Sequence, residues 1–361
     1  MRENKSEGGA GFAGILRAHG ERYPLMQAQD GVKLAYQNEF GGGHLAEQGP
    51  ALAMLRREME GLGPERERVW FEPIGNGFSR MHLSCLGGDE ASPETLSLFF
   101  VRSASRKVGD AGGFSEKLRI LREVSAGQGM PFPAGALEDY LLSYRAAGCP
   151  MVRHSQAYRQ AYHPAYRVVR EEYGKFYPLF RATDRLLRQK GRAVLAIDGN
   201  SGSGKSSLAR LLQGIYGCPI IHMDDFFLRP EQRTEERLAE VGGFVDYERF
   251  AREVAPCLGS GAFAYQRYDC AKGALGEWVQ VPDSRLTVVE GVYSLHGKLG
   301  FAPDLSVILY TGKGTQEERI LRRNGERMLR RFQTEWIPRE DAYFAGMGVK
   351  ERAGLILCGE E

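Results

Sequence analysis

Between residues 193 and 208 the chain reads AVLAIDGNSGSGKSSL, and no other stretch constrains its folding as tightly. The aliphatic run Ala193 to Ile197 has the composition of a buried strand, and a helix-like run follows from Ser207. Between them lies Gly199-x-x-x-x-Gly204-Lys205-Ser206. Strand, glycine-rich turn and helix in this order predict a phosphate-binding loop, because glycines let backbone N–H groups turn inward around phosphate oxygens. Lys205 supplies a point charge for the β- and γ-phosphates, and the Ser206 hydroxyl suits Mg²⁺. The expected cradle is Gly199, Asn200, Ser201, Gly202, Ser203, Gly204, Lys205, Ser206 and Ser207, and the expected ligand is ATP or GTP.

A length of 361 residues predicts two domains. Hydrophobic content of 42% allows an ample core, and a net charge of +2 gives no general attraction to nucleic acid or membrane surfaces. Cys85, Cys149, Cys218, Cys257, Cys270 and Cys358 are scattered without a C-x-x-C pair, so reduced thiols are expected rather than a metal knuckle or disulfide framework. No apolar leader and no apolar run of membrane-spanning length is present, which predicts a cytoplasmic protein.

The first ten residues read as a frayed polar tail. A glycine-punctuated first unit follows, with helices expected near 49–59 and 115–124 and a strand at Thr95–Val101. That mixture predicts an α+β domain over 1–172. From 173 to 361 the rhythm is α/β: a helix at Leu179–Gln189, strands at Ala193–Ile197, Pro219–Met223, Leu286–Glu290 and Leu305–Tyr310, strand-like Ala262–Tyr268 and Trp278–Val281, and helices at Tyr247–Leu258 and Gln316–Phe332. Aliphatic runs that do not alternate predict a parallel sheet covered by helices on both faces.

Reaction chemistry must come from what surrounds the loop. His222-Met223-Asp224-Asp225 puts carboxylates just past a predicted strand, at the sheet edge where ligands bind. Asp224 there can take a proton from a hydroxyl and face a metal. Leu286 to Glu290 is an aliphatic strand ending in an acid, suited to completing an Mg²⁺ shell. Arg319, Arg322 and Arg323 lie on a charged helix beside Gly325, as arginines of a mobile lid would. Asp246, within Phe244–Phe250, and Tyr268 add groups able to hold a polyol or ring.

Taken in order, GNSGSGKS, MDDFF, DYERF, YD, EGVY and RxxRRNG resemble the uridine kinase, phosphoribulokinase and pantothenate kinase branch of P-loop kinases, including nicotinamide riboside kinases. The resemblance spans about 179–344. It implies Asp224 as general base, Ser206, Asp224 and Glu290 around Mg²⁺, Asp225, Asp246 and Tyr268 toward the acceptor with Asp246 on a ribose diol, and Arg319, Arg322 and Arg323 as lid arginines. MDDFF is nearer the riboside-kinase form than the QDSFY form of uridine kinases, and no counterpart of the uracil-reading residues is found. Trp336 to Phe344 resembles a bacterial subgroup labelled uridine kinase-like.

The first half is less explicit. Tyr36–His44 and His154–Arg167 join histidines to aromatic and charged residues, and His44, His82, His154 and His163 are candidates for a metal or anion site or for buried structural roles. The Tyr/Arg-rich 153–170 stretch reads as an interdomain packing segment. The expected activity is ATP-dependent phosphorylation of a small-molecule hydroxyl, with a nucleoside or riboside leading. The alternatives are a nucleotide-gated regulatory protein and a bifunctional enzyme.

Overall fold

The computed structural model describes residues 11–42, 47–62, 70–85, 91–105 and 108–360. The frayed tail and His44 lie outside the described residues. Two compact units divide at Arg181/Ala182, later than the expected 172/173. The cause is aromatic. Tyr173 stacks on Phe99 at 4.4 Å, Phe180 meets Phe99 edge-on at 4.7 Å, and Tyr177 meets Trp70 at 5.2 Å, so these residues belong to the first core.

Unit 1 holds three antiparallel strands in the order β1 (Phe71–Gly75), β2 (Phe78–His82), β3 (Tyr166–Arg170). Asn76 and Gly77 link the first two with φ of 54° and 75°, the paired positive values a two-residue hairpin turn needs. Helices Phe12–Arg22, Ala28–Phe40, Ala111–Ala126 and Ala134–Ala146 bury Leu16, Val32, Leu34, Leu121 and Leu141. The expected strand at Thr95–Val101 is instead the helix Pro93–Ala104. Ser92 caps it by accepting the Thr95 N–H at 3.2 Å, Pro93 suits its first turn, and Leu96, Phe99 and Ser103 face inward at helical spacing. The 153–170 stretch belongs to unit 1. It forms helix Gln156–Tyr162 and β3, with Tyr158 and Val168 in unit 1's own core.

Unit 2 contains β4 (Ala193–Asp198), β5 (Ile220–His222), β6 (Phe263–Asp269), β7 (Ala274–Val281), β8 (Leu286–Glu290), β9 (Leu305–Tyr310) and β10 (Leu355–Cys358). Five of them form a parallel sheet in the order β10-β9-β4-β8-β5, while β6 and β7 make a separate antiparallel hairpin. Every residue of β4 and β8 is buried, as strands covered on both faces must be. Pairing Ile197 with Glu290 and Glu290 with His222 brings the carboxyl ends of β4, β8 and β5 level at one rim. No described helix is long and apolar enough to cross a membrane.

Candidate active site

The loop leaves β4 at Asp198 and enters helix Lys205–Tyr216, with Gly199, Gly202 and Gly204 at φ of 146°, 76° and 101°. Asn200 ties it to the end of β9, donating to the Thr311 carbonyl at 2.9 Å and accepting the Thr311 N–H at 3.1 Å. Lys205 is buried and donates Nζ to the carbonyls of Gly199 and Asn200 at 2.8 and 2.9 Å. Burial pulls its ammonium below the ordinary lysine value. Glu340, Asp198, Glu290 and Asp224 oppose that, in this order.

Ser206 Oγ donates to Glu290 Oε1 at 3.0 Å, and His222 Nδ1 lies 2.5 Å from the same oxygen. That bond raises the His222 pKa. Asp224 sits in the turn Met223–Phe226 directly after β5. Although the residue reaches solvent, partial loss of hydration first, and then the Glu290 charge, push its carboxyl above the usual range, while Lys205 opposes them. The expected set Lys205, Ser206, Asp224 and Glu290 therefore shares one electrostatic neighbourhood. One hydroxyl and two carboxylates at this rim are oxygen donors of the kind Mg²⁺ takes, and a triphosphate supplies more.

The other expected residues are engaged in various ways. Asp225 accepts the Tyr265 hydroxyl at 2.7 Å. Asp246 caps helix Tyr247–Glu253 through the Arg249 N–H at 3.1 Å and accepts Gln232 Nε2 at 3.0 Å. It also lines a cleft of about 390 Å³ with Arg229, Gln232, Arg237 and Glu248. The Tyr268 hydroxyl accepts Arg233 at 3.0 Å. Arg319 donates to the carbonyls of Gly202 at 3.2 Å and Gly359 at 2.9 Å, which buttresses the loop. Arg322 and Arg323 are exposed on helix Lys313–Arg331, which breaks at Gly325 with φ 77° and ψ 171°.

Two acids at the loop were not anticipated. Asp198 is fully buried and accepts N–H groups of Gly199, Tyr293 and Leu295 and the Tyr343 hydroxyl at 2.7 to 3.2 Å. Its place immediately before Gly199 was the available signal. Glu340 accepts the Ser201 N–H at 2.8 Å and the Ser201 hydroxyl. Nothing in its local sequence points to the loop.

The histidines of unit 1 form no shared metal cluster among the described residues. His154 is buried between Asp30, whose Oδ1 lies 2.8 Å from Nδ1, and the Tyr166 hydroxyl, 2.6 Å from Nε2. His163, by contrast, is an exposed left-handed helix cap. Burial lowers both His154 and His19 to about 4. An unfolded chain takes up protons at these sites below its ordinary value near 6.5, whereas the folded one refuses them until about 4. Stability is therefore expected to fall as pH drops from about 6.5 to 4. Thermal unfolding followed by Trp70 fluorescence, with Trp278 and Trp336 replaced by Phe, checks this. A midpoint unchanged across that window would refute it.

A parallel α/β sheet with a glycine-rich loop after its central strand and acids at the adjoining strand ends defines an α/β unit of the P-loop type. Over 121 residues the chain is 26% identical to uridine-cytidine kinase C of Dictyostelium discoideum, a match covering 33% of this chain and 27% of that relative. The chain thus spans about a quarter of the length of the curated relative it matches. No family model matches. Among solved structures, a possible uridine kinase of Bacillus stearothermophilus is 22% identical with a TM-score of 0.36, covering 46% of this chain and 88% of that one. A Silicibacter protein provisionally named a fructose transport system kinase is 23% identical with the same TM-score, covering 47% and 91%.

Proposed function

We propose that unit 2 is an ATP-dependent kinase that phosphorylates a hydroxyl of a small molecule, with a nucleoside or riboside as the leading acceptor. One observation carries this reading: Asp224 stands in the turn directly after β5, within the electrostatic reach of Glu290 and Lys205, and its carboxyl is held above the usual range. A nucleotide switch has no need of a proton acceptor there.

Lys205 and the loop amides would bind the phosphates, which requires Nζ to leave the carbonyls it now holds. Ser206, Asp224 and Glu290 would hold Mg²⁺, which when bound neutralises charge on the phosphoryl oxygens. Asp224 accepts the acceptor hydroxyl proton as that oxygen bonds to the γ-phosphorus and the bond to the β-phosphate oxygen breaks. Asp225, Asp246 and Tyr268 face the acceptor side, and Arg322 and Arg323 close over the transferring group about Gly325. Arg319 holds the loop in shape. Positioning and electrostatics supply most of the rate.

The test measures ADP formation with and without nucleosides, nicotinamide riboside, pantothenate and sugar phosphates, with label from ATP traced into product. Acceptor-dependent ADP supports the kinase. Basal hydrolysis indifferent to every acceptor would favour a nucleotide-gated regulator.

A further inference from the structure

We propose that Glu340 is a resident anion of the phosphate loop, a gate that nucleotide phosphates displace on binding. The loop's inward N–H groups exist to receive anionic oxygens. One of them, on Ser201, is already taken by the Glu340 carboxylate at 2.8 Å, which also receives the Ser201 hydroxyl. Glu340 is only 4% exposed, so this pairing is shielded from water.

Charge gives the contact its consequence. Asp198, Asp224, Glu290 and Glu340 all act on the Lys205 ammonium, Glu340 foremost among them. The rim is thus rich in negative charge before a triphosphate arrives. A phosphate oxygen and the carboxylate also compete for one N–H, so withdrawal of Glu340 relieves both conflicts.

Movement of Glu340 would be felt beyond the loop. It lies on helix Ile337–Gly346, one turn before Tyr343, whose hydroxyl holds Asp198 at 2.7 Å. The turn Phe332–Trp336 joins that helix directly to helix Lys313–Arg331, which carries Arg322 and Arg323. Release of Glu340 therefore removes one anchor of the element that runs back to the lid arginines.

This inference rests on the nucleotide-binding part of the proposed function and not on phosphoryl transfer. Calorimetric titration of the full chain with Mg·ATP tests it, comparing wild type with Glu340→Gln. The amide keeps the shape and loses the charge, and tighter binding by about tenfold is expected. Equal or weaker binding by the folded variant overturns the gate. Hydrogen exchange in the wild-type chain gives a readout independent of the variant's folding. Segment 337–346 should exchange faster with Mg·ATP bound, and unchanged or slower exchange overturns the proposal. A wild type that binds no nucleotide overturns the loop assignment itself, whereas binding without acceptor-dependent ADP refutes only the kinase.

Discussion

Asp224→Ala is expected to lower kcat by about 10² to 10⁴-fold, the contribution of a positioned general base. Nucleotide affinity should change far less, because the loop amides and Lys205 remain. Asp224 also shares its surroundings with Glu290, so weaker Mg²⁺ binding and a higher Mg²⁺ requirement are part of the expected phenotype. Asp224→Asn separates the two roles: it keeps an oxygen for the metal and cannot accept the proton. Steady-state rates at saturating Mg²⁺ beside equilibrium ATP binding make the comparison. Full turnover by either variant would remove Asp224 from the mechanism.

Gly199→Ala is expected to disable the loop by a different route. At φ 146° a side chain is already strained, and an added Cβ would lie 1.8 Å from the Leu309 carbonyl oxygen, a backbone atom of β9. That strand lies between β10 and β4 and cannot retreat without breaking its pairing with β4. A loss of more than about 3 kcal/mol in unit 2, with nucleotide binding abolished, is expected. Gly214→Ala is the control. Gly214 lies inside helix Lys205–Tyr216 with nothing within 4 Å of a new Cβ, and there alanine should stabilise by about 0.5–1 kcal/mol. Denaturant midpoints of the two variants moving in the same direction would show that local propensity, not the Leu309 contact, governs Gly199.

Much of unit 2 was readable because its signals are local. The runs Leu286–Glu290 and Leu305–Tyr310 coincide with β8 and β9, since a strand buried on both faces must be continuously apolar. The loop was readable for the same reason, as its glycines report backbone geometry directly. Thr95–Val101 was misread because an apolar run of that length suits a strand or a buried helix equally, and the deciding Ser92-Pro93 cap precedes it. β10 passed unnoticed: four residues at the sheet's edge carry little pattern of their own. The domain boundary shifted because Tyr173, Tyr177 and Phe180 find their partners, Phe99 and Trp70, far back in the chain.

By itself the sequence determined the phosphate loop, the two strand-end acids and the alternation that makes a parallel sheet, all of them consequences of neighbours along the chain. The tertiary structure decided what those groups face. Glu340 reaches Ser201 across 139 positions, and Tyr343 reaches Asp198 across 145. Such encounters depend on how helices close over the sheet after it forms, and no local propensity encodes them.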